Sequence, residues 1–285
     1  IRQYFAEEIR AVANIRSEAL INAFAAVPRE QFLGPGPWQI MSASTEPGGG
    51  GYRTTEDADP RHVYHNVLIA IDPDRQLNNG QPSSIAAWLD ALDLRQGERI
   101  VHVGCGVGYY TAIMAEVVGP TGQVIGIEID AELAARARQN LSYLRHVEVV
   151  HGDGGEHNPG PSDVIFVNAG VTHPQPAWLN SLRPGGRLMV PITFSTQAAG
   201  VGTGFMLKVK RESKGFATRF VSPVTIYHCV AVRDVDLNQR LRNSFMRGAW
   251  QSVQSLRRES HKPSESCWFH DDRFCLSQLP VPTES

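Results

Sequence analysis

Apolar residues recur at helical spacing near the start of the chain. Phe5, Ile9, Val12, Leu20 and Phe24 fall roughly on one face and predict helix across residues 3–25. Val27-Pro28-Arg29-Glu30-Gln31-Phe32-Leu33 follows, and Gly34-Pro35-Gly36-Pro37 must then break any helix. Residues 42–61 are rich in Ser, Thr, Gly, Asp and Pro, with consecutive glycines at 48–51. They predict a loop, either a lid over a site or a surface insertion. From residue 81 a regular alternation begins. A helix capped by Ser83 or Ser84 runs to about Leu92, and apolar strands follow at 99–103, 122–128, 147–150, 164–167 and 187–190. Between them lie helices at 109–118, from an Asp130 N-cap onward, and around 177–182.

Strands alternating with helices at this spacing predict an α/β fold with a parallel, doubly wound sheet. Residues 205–210 and 224–232 add two more strands, which pair antiparallel around Gly215. The expectation is therefore a mostly parallel seven-stranded sheet, flanked by an N-terminal helical segment and a C-terminal helical extension. Its boundaries are 1–76, 77–232 and 233–285. Within the extension, 236–258 predicts one Arg-rich helix, and Trp268, Phe269 and Phe274 predict docking of the tail on the body.

Composition narrows the function classes. The chain has 285 residues, 42% hydrophobic and 20% charged, with a net charge of -2, which disfavours a protein built around a broad phosphate-binding face. Cys105, Cys229, Cys267 and Cys275 are scattered, contain no C-x-x-C pair and show no zinc-type spacing with histidine. Neither a disulfide framework nor a metal is expected, and a reducing cytosol fits. The first residues lack a signal pattern and no apolar run approaches the roughly 18 residues needed to span a bilayer, so the expectation is a cytoplasmic protein with no membrane partner.

The chemistry sits at strand ends. Ile100-Val101-His102-Val103 runs into Gly104-Cys105-Gly106-Val107-Gly108, and a helix follows. Glycine permits a sharp turn and leaves no Cβ between backbone and ligand, and the next helix offers its N-terminal amides. A dinucleotide fingerprint would place a third glycine where Tyr109 stands, so a cofactor without phosphate is favoured over a pyrophosphate. Glu128 ends the second strand, where a carboxylate accepts hydrogen bonds from both ribose hydroxyls; the plainer alternative is a solvated strand-end residue. Asp153, in His151-Gly152-Asp153-Gly154, suits an adenine amino group, or is simply a turn aspartate.

With these residues in place the sequence resembles the protein-L-isoaspartate O-methyltransferases. The resemblance rests on Val27–Phe32, Gly80-Gln81-Pro82-Ser83-Ser84, Val103–Tyr109, Val124–Glu128, Gly152-Asp153-Gly154 and Arg183-Pro184-Gly185-Gly186-Arg187-Leu188-Met189-Val190-Pro191. It implies a Rossmann-like methyltransferase fold and S-adenosyl-L-methionine as cofactor, released as S-adenosyl-L-homocysteine. It implies cofactor contacts from Gly104, Cys105, Gly106, Gly108, Glu128, Ile129, Asp153 and Gly154. It sets Gln81, Pro82, Ser83 and Ser84 against the methionine end, with Ser84 orienting the acceptor carboxylate of a protein or peptide.

The sequence departs from the family at several points. His102 replaces a usual acidic residue, Pro82 interrupts a Gly-Gln-Thr-Ile-Ser pattern, and Asn168-Ala169-Gly170-Val171-Thr172-His173 replaces an alanine-rich loop. A second reading is therefore a relative acting on another peptide or small molecule, with His173 as base; alternatively His173 is an ordinary loop histidine. Two further classes are a nicotinamide oxidoreductase and a non-catalytic cofactor-binding module. No nucleic-acid partner is expected: the 168–171 stretch lacks the prolines and stacking aromatic of adenine N-methyltransferases. Arg240, Arg242, Arg247, Arg257 and Arg258 form either a face for an acidic partner or a solvated helix surface.

Overall fold

The structure, a computed structural model, describes residues 1–43, 50–75, 77–195 and 200–282. They form two compact units, one of residues 1–99 and 105–152 and one of residues 100–104 and 153–285.

The first unit opens with two helices rather than one. Helix α1 spans Arg2–Ala13 and α2 spans Glu18–Ala26. Asn14 turns left-handed (φ 51°) and stops α1, and the Ser17 side chain restarts helix by accepting the Leu20 N–H at 3.2 Å. The segment expected as loop, 42–61, overlaps a hairpin of β1 (Gln39–Ala43) against β2 (Gly50–Thr54); residues 44–49 of that expectation lie outside the described residues. A small hairpin of β3 (Ala70–Asp72) and β4 (Leu77–Asn78) leads to helix α3, Pro82–Leu92. Its N-cap is Gln81, not Ser83 or Ser84, because Pro82 occupies the first helical position, where its missing N–H has no consequence.

Strand β5 (Arg99–Val103) crosses into the second unit at Ile100. Back in the first unit, α4 (Tyr109–Val118) is buried along nearly its whole length. Strand β6 (Gln123–Glu128) pairs parallel with β7 (Val147–His151). Helix α5 (Ala131–Asn140) joins them, capped by Asp130, whose carboxylate accepts the Leu133 N–H at 2.9 Å. The core of this unit gathers Phe5, Phe24, Phe32 and Tyr109 edge to face.

In the second unit β8 (Ser162–Val167) pairs parallel with β5 and with β9 (Leu182–Ser195), which follows helix α6 (Pro176–Ser181). Strands β10 (Val201–Glu212) and β11 (Gly215–Tyr227) continue antiparallel. The α/β class therefore holds. The tail is built differently from the expected helical extension. Helix α7 stops at Arg247 (Val235–Arg247), because Gly248 leaves helical geometry at φ +77°. Three short strands then extend the antiparallel run past β11: β12 (Ser255–Arg257), then β14 (Cys275–Ser277), then β13 (Cys267–His270). The aromatic residues of the tail do dock: Phe245 lies 5.1 Å from Phe205 and 5.0 Å from Trp268, ring centre to ring centre.

Candidate functional site

In the first unit the glycine loop is held by its own neighbours. Gly106 and Gly108 have φ of +56° and +93°, and Gly104, just before them, has +74°. The Cys105 N–H donates to the Ile127 carbonyl at 3.2 Å, and Asn140 Nδ2 donates to the Val107 carbonyl at 2.9 Å. Two of these glycines serve different ends. A Cβ on Gly108 would lie 2.7 Å from Leu141 Cδ1, so that position is closed by packing. Among the described residues a Cβ on Gly106 would meet only Ile71 Cδ1, at 3.9 Å, so its bareness leaves the backbone there open to a ligand.

Glu128 is 7% exposed. Its Oε2 accepts the Gly106 N–H at 2.7 Å and its Oε1 accepts the Asp130 N–H at 3.1 Å. The carboxylate thus fixes the loop and the strand end together, and each oxygen keeps further acceptor capacity. The solvated alternative does not describe it. Ile129 beside it leaves a large apolar side chain 49% exposed. The Cys105 thiol is buried against Gly126, and burial, with the Glu128 charge, pushes its pKa well above the usual thiol range. It packs the loop and is no nucleophile.

Asn66 organises the segment before α3. Its carbonyl accepts Gln81 Nε2 at 2.6 Å, and its Oδ1 accepts the Ser83 N–H at 3.0 Å. Pro82 is buried, while Ser83 and Ser84 are half-buried. Arg29 lies behind this segment, fully buried. Its guanidinium donates to the carbonyls of Val63 (2.7 Å), His65 (2.9 Å) and Val67 (2.9 Å) and to Asn79 Oδ1 (3.3 Å). Neither Asn66 nor Arg29 was assigned a role from sequence. The Val-Pro-Arg segment was a signal for Arg29, but not for what it holds.

In the second unit Gly104 approaches Asn168, whose carbonyl oxygen would be 3.4 Å from a Cβ there. Asp153 makes the turn contact considered above, its Oδ1 accepting the Gly155 N–H at 2.8 Å. Gly154 packs its backbone on Val103, where a Cβ would come within 2.4 Å, and its carbonyl accepts Trp178 Nε1 at 2.8 Å. His102 is fully buried, stacks on Phe166 at 5.2 Å, and is held neutral by burial, its pKa lowered to about 3.

The 168–173 loop is pinned from the tail side. Arg233 donates to the Gly170 carbonyl at 3.1 Å, to Thr193 Oγ1 at 3.0 Å and to Asn238 Oδ1 at 3.0 Å. His173 has both ring nitrogens engaged, with Thr172 Oγ1 and Gln175 Nε2, each at 3.1 Å. Its ring stacks on Phe274, and burial, then the Arg273 charge, lowers its pKa. A role as base would require one of those nitrogens to be released. Among the described residues no helix is long and apolar enough to cross a membrane.

An α/β fold with a bare glycine loop and a buried carboxylate ending the following strand is an arrangement that suits a nucleotide-type cofactor. Comparison with known proteins gives the family. The model described as Protein-L-isoaspartate(D-aspartate) O-methyltransferase matches residues 54–220. Protein-L-isoaspartate O-methyltransferase 1 of Archaeoglobus fulgidus is 34% identical over 216 residues, covering 74% of this chain and 85% of that protein. The Methanothrix thermoacetophila protein-L-isoaspartate O-methyltransferase is 32% identical, covering 71% and 88%. The chain belongs to the protein-L-isoaspartate O-methyltransferase family, whose members are S-adenosylmethionine-dependent enzymes. Two solved structures share the fold. One is a protein-L-isoaspartate O-methyltransferase with TM-score 0.63 and 23% identity, covering 86% of this chain and 70% of that one. The other is a Plasmodium falciparum beta-aspartate methyltransferase in complex with S-adenosyl-L-homocysteine, with TM-score 0.60 and 16% identity, covering 80% and 97%.

Proposed function

We propose that the chain methylates a carboxylate of a protein or peptide, an L-isoaspartyl side chain in the first instance, with residues 77–232 as the S-adenosylmethionine-binding domain. Residues 1–76 and 233–285 are then its N-terminal segment and C-terminal extension. The observation that carries the proposal is the pairing of Glu128 with the Gly106 amide, which presents a buried acceptor beside an uncovered stretch of backbone. Glu128 accepts the ribose hydroxyls, and Ile129 offers an apolar surface for the adenine. Asp153 offers its Oδ2 to the adenine amino group while Oδ1 keeps the turn. Gln81, Pro82, Ser83 and Ser84 face the methionine end, and the Ser84 hydroxyl orients the acceptor carboxylate.

The bound cofactor supplies an electrophilic sulfonium methyl. A carboxylate acceptor carries no proton to remove, so the chain needs no general base; its contribution is orientation and exclusion of water. That agrees with a His173 whose nitrogens are both occupied.

A second acceptor, another peptide or a small molecule, is favoured by one feature. The loop at 168–173 is fixed by Arg233, which lies beyond the residues matched by the family model. Methyl transfer from labelled cofactor to an isoaspartyl peptide, run beside its aspartyl twin and beside calorimetry, separates the cases. Transfer to the isoaspartyl peptide alone is expected. Cofactor binding without transfer to either peptide moves the acceptor to the second reading, and no binding heat removes the cofactor assignment.

A further inference from the structure

Four side chains of the tail, none of which the methyl-transfer site uses, converge on one point. His261, Cys267, His270 and Cys275 each offer a donor atom, and all four atoms lie within 4.8 Å of one another. A tetrahedral zinc with bonds of about 2.3 Å to sulfur and about 2.0 Å to nitrogen sets its donors roughly 3.3–3.8 Å apart, so modest side-chain rotation closes the set.

Strand geometry explains why the spacing along the chain hid this group. His270 sits directly across from Cys275 in the β13–β14 pair. In a regular strand Cys267 and His270, three residues apart, would point to opposite faces. The register slips between Cys267 and Phe269, which frees the two donors to meet on one side.

The surroundings are those of a ligand set. His261 Nδ1 lies 2.8 Å from the Glu259 carbonyl oxygen, which can only accept. The proton is therefore on Nδ1 and the lone pair on Nε2, which lies 3.5 Å from Cys267 Sγ. The Ser264 N–H donates to the same sulfur at 3.5 Å, a contact that favours thiolate. The Nδ1 of His270 is buried with no hydrogen-bond partner among the described residues. Cys267 and Cys275 are both free thiols.

We propose that these residues bind one Zn2+ as a closed Cys2His2 site that staples the C-terminal extension. Two thiolates and two imidazoles suit zinc over magnesium or calcium, which take oxygen ligands. With all four positions supplied by the chain, none remains for water or substrate, so the site is structural. The two thiol protons pass to solvent on binding. The need is plain: the strands β12, β13 and β14 have only three, four and three residues, and so short a sheet gains most from a metal crosslink.

The test uses the full chain without a histidine tag. Elemental analysis after purification should find about one zinc per chain, the stoichiometry of a single closed site. Replacement of the zinc by Co2+ should give the visible d–d bands of a tetrahedral centre with thiolate charge transfer. Cys267→Ser with Cys275→Ser should abolish both signals, while Cys229→Ser keeps them. Absence of metal in the wild-type chain together with no cobalt spectrum overturns the proposal, even if the double variant fails to fold. So does a Cys267–Cys275 disulfide in freshly purified protein.

Discussion

Replacing Arg29 with Ala should destabilise the chain and slow methyl transfer together. The guanidinium is fully buried, and its acceptors are three carbonyls and one amide oxygen, all neutral. It also lies over the rings of Phe5 and Tyr109, at 5.5 and 5.9 Å. Hydrogen bonds from a charged donor contribute ~1.5–3 kcal/mol each, but these four share one group, and their acceptors stay buried when it is removed. A net loss of about 3–5 kcal/mol follows, since two or more buried neutral acceptors left without a donor cost ~1–3 kcal/mol each. For a chain of 285 residues the unfolding entropy is about 0.6 kcal/mol/K, so the Tm should fall by roughly 5–8 °C. The same carbonyls flank Asn66, which holds Gln81 and Ser83, so kcat/KM should fall at temperatures where the variant is still folded. Arg29→Lys should recover little, because a single ammonium cannot span the fork of acceptors. Thermal unfolding followed by circular dichroism, with labelled-cofactor kinetics well below Tm, measures both effects. A Tm within about a degree of wild type, with unchanged kinetics, would refute the argument and mean that water satisfies the 63–67 carbonyls.

Three other outcomes follow from the site. Glu128→Ala should weaken cofactor binding by at least about 10-fold in calorimetry, the equivalent of one charge-assisted hydrogen bond of ~1.5–3 kcal/mol, and unchanged affinity would remove the ribose assignment. Gly106→Ala should cost about 1–2 kcal/mol of stability for its φ of +56° but meet no clash, since among the described residues its Cβ finds only Ile71 Cδ1 at 3.9 Å, and it should lose cofactor affinity; Gly108→Ala, strained at φ +93° and 2.7 Å from Leu141 Cδ1, should lose more stability, and melting curves beside binding isotherms separate the two. His102 is buried neutral, with its pKa lowered from 6.5 to about 3, so the unfolded chain binds the extra proton between those values and stability falls as pH drops below 6.5. This amounts to about 2 kcal/mol between pH 7 and pH 5, read from urea titrations, and His102→Phe should flatten that part of the pH profile.

The alternating segment from residue 81 onward was legible because its signals are local. Apolar runs, the Asp130 cap and glycine punctuation each act within a few residues; α4 formed where they predicted, and α5 starts at its Asp130 cap but ends at Asn140, short of the expected Leu144. The misplacements also have local causes. Asn14 and Ser17 split the first helix, and Gly248 ended α7 eleven residues short of the expected 258. The three tail strands were not legible. Each is too short to show a period of two, and its pairing depends on partners such as Phe216 across from Leu256.

Site residues divide along the same line. Glycine positions are dictated by backbone angle, so Gly104, Gly106 and Gly108 could be read from the chain, and all three take positive φ. A carboxylate's role depends on how its two oxygens are shared, which sequence does not show. Glu128 gives one oxygen to the Gly106 amide and the other to the Asp130 amide, so the same side chain that would meet the ribose also shapes the loop. Loss of Glu128 therefore acts on the cofactor twice, by deleting an acceptor and by releasing the cradle. Glu128→Gln separates these effects: its amide oxygen can replace one of the two acceptors but not both. An affinity between those of wild type and Glu128→Ala indicates that the two roles are additive. A value equal to that of Glu128→Ala indicates that loop and ribose depend on the carboxylate as one unit.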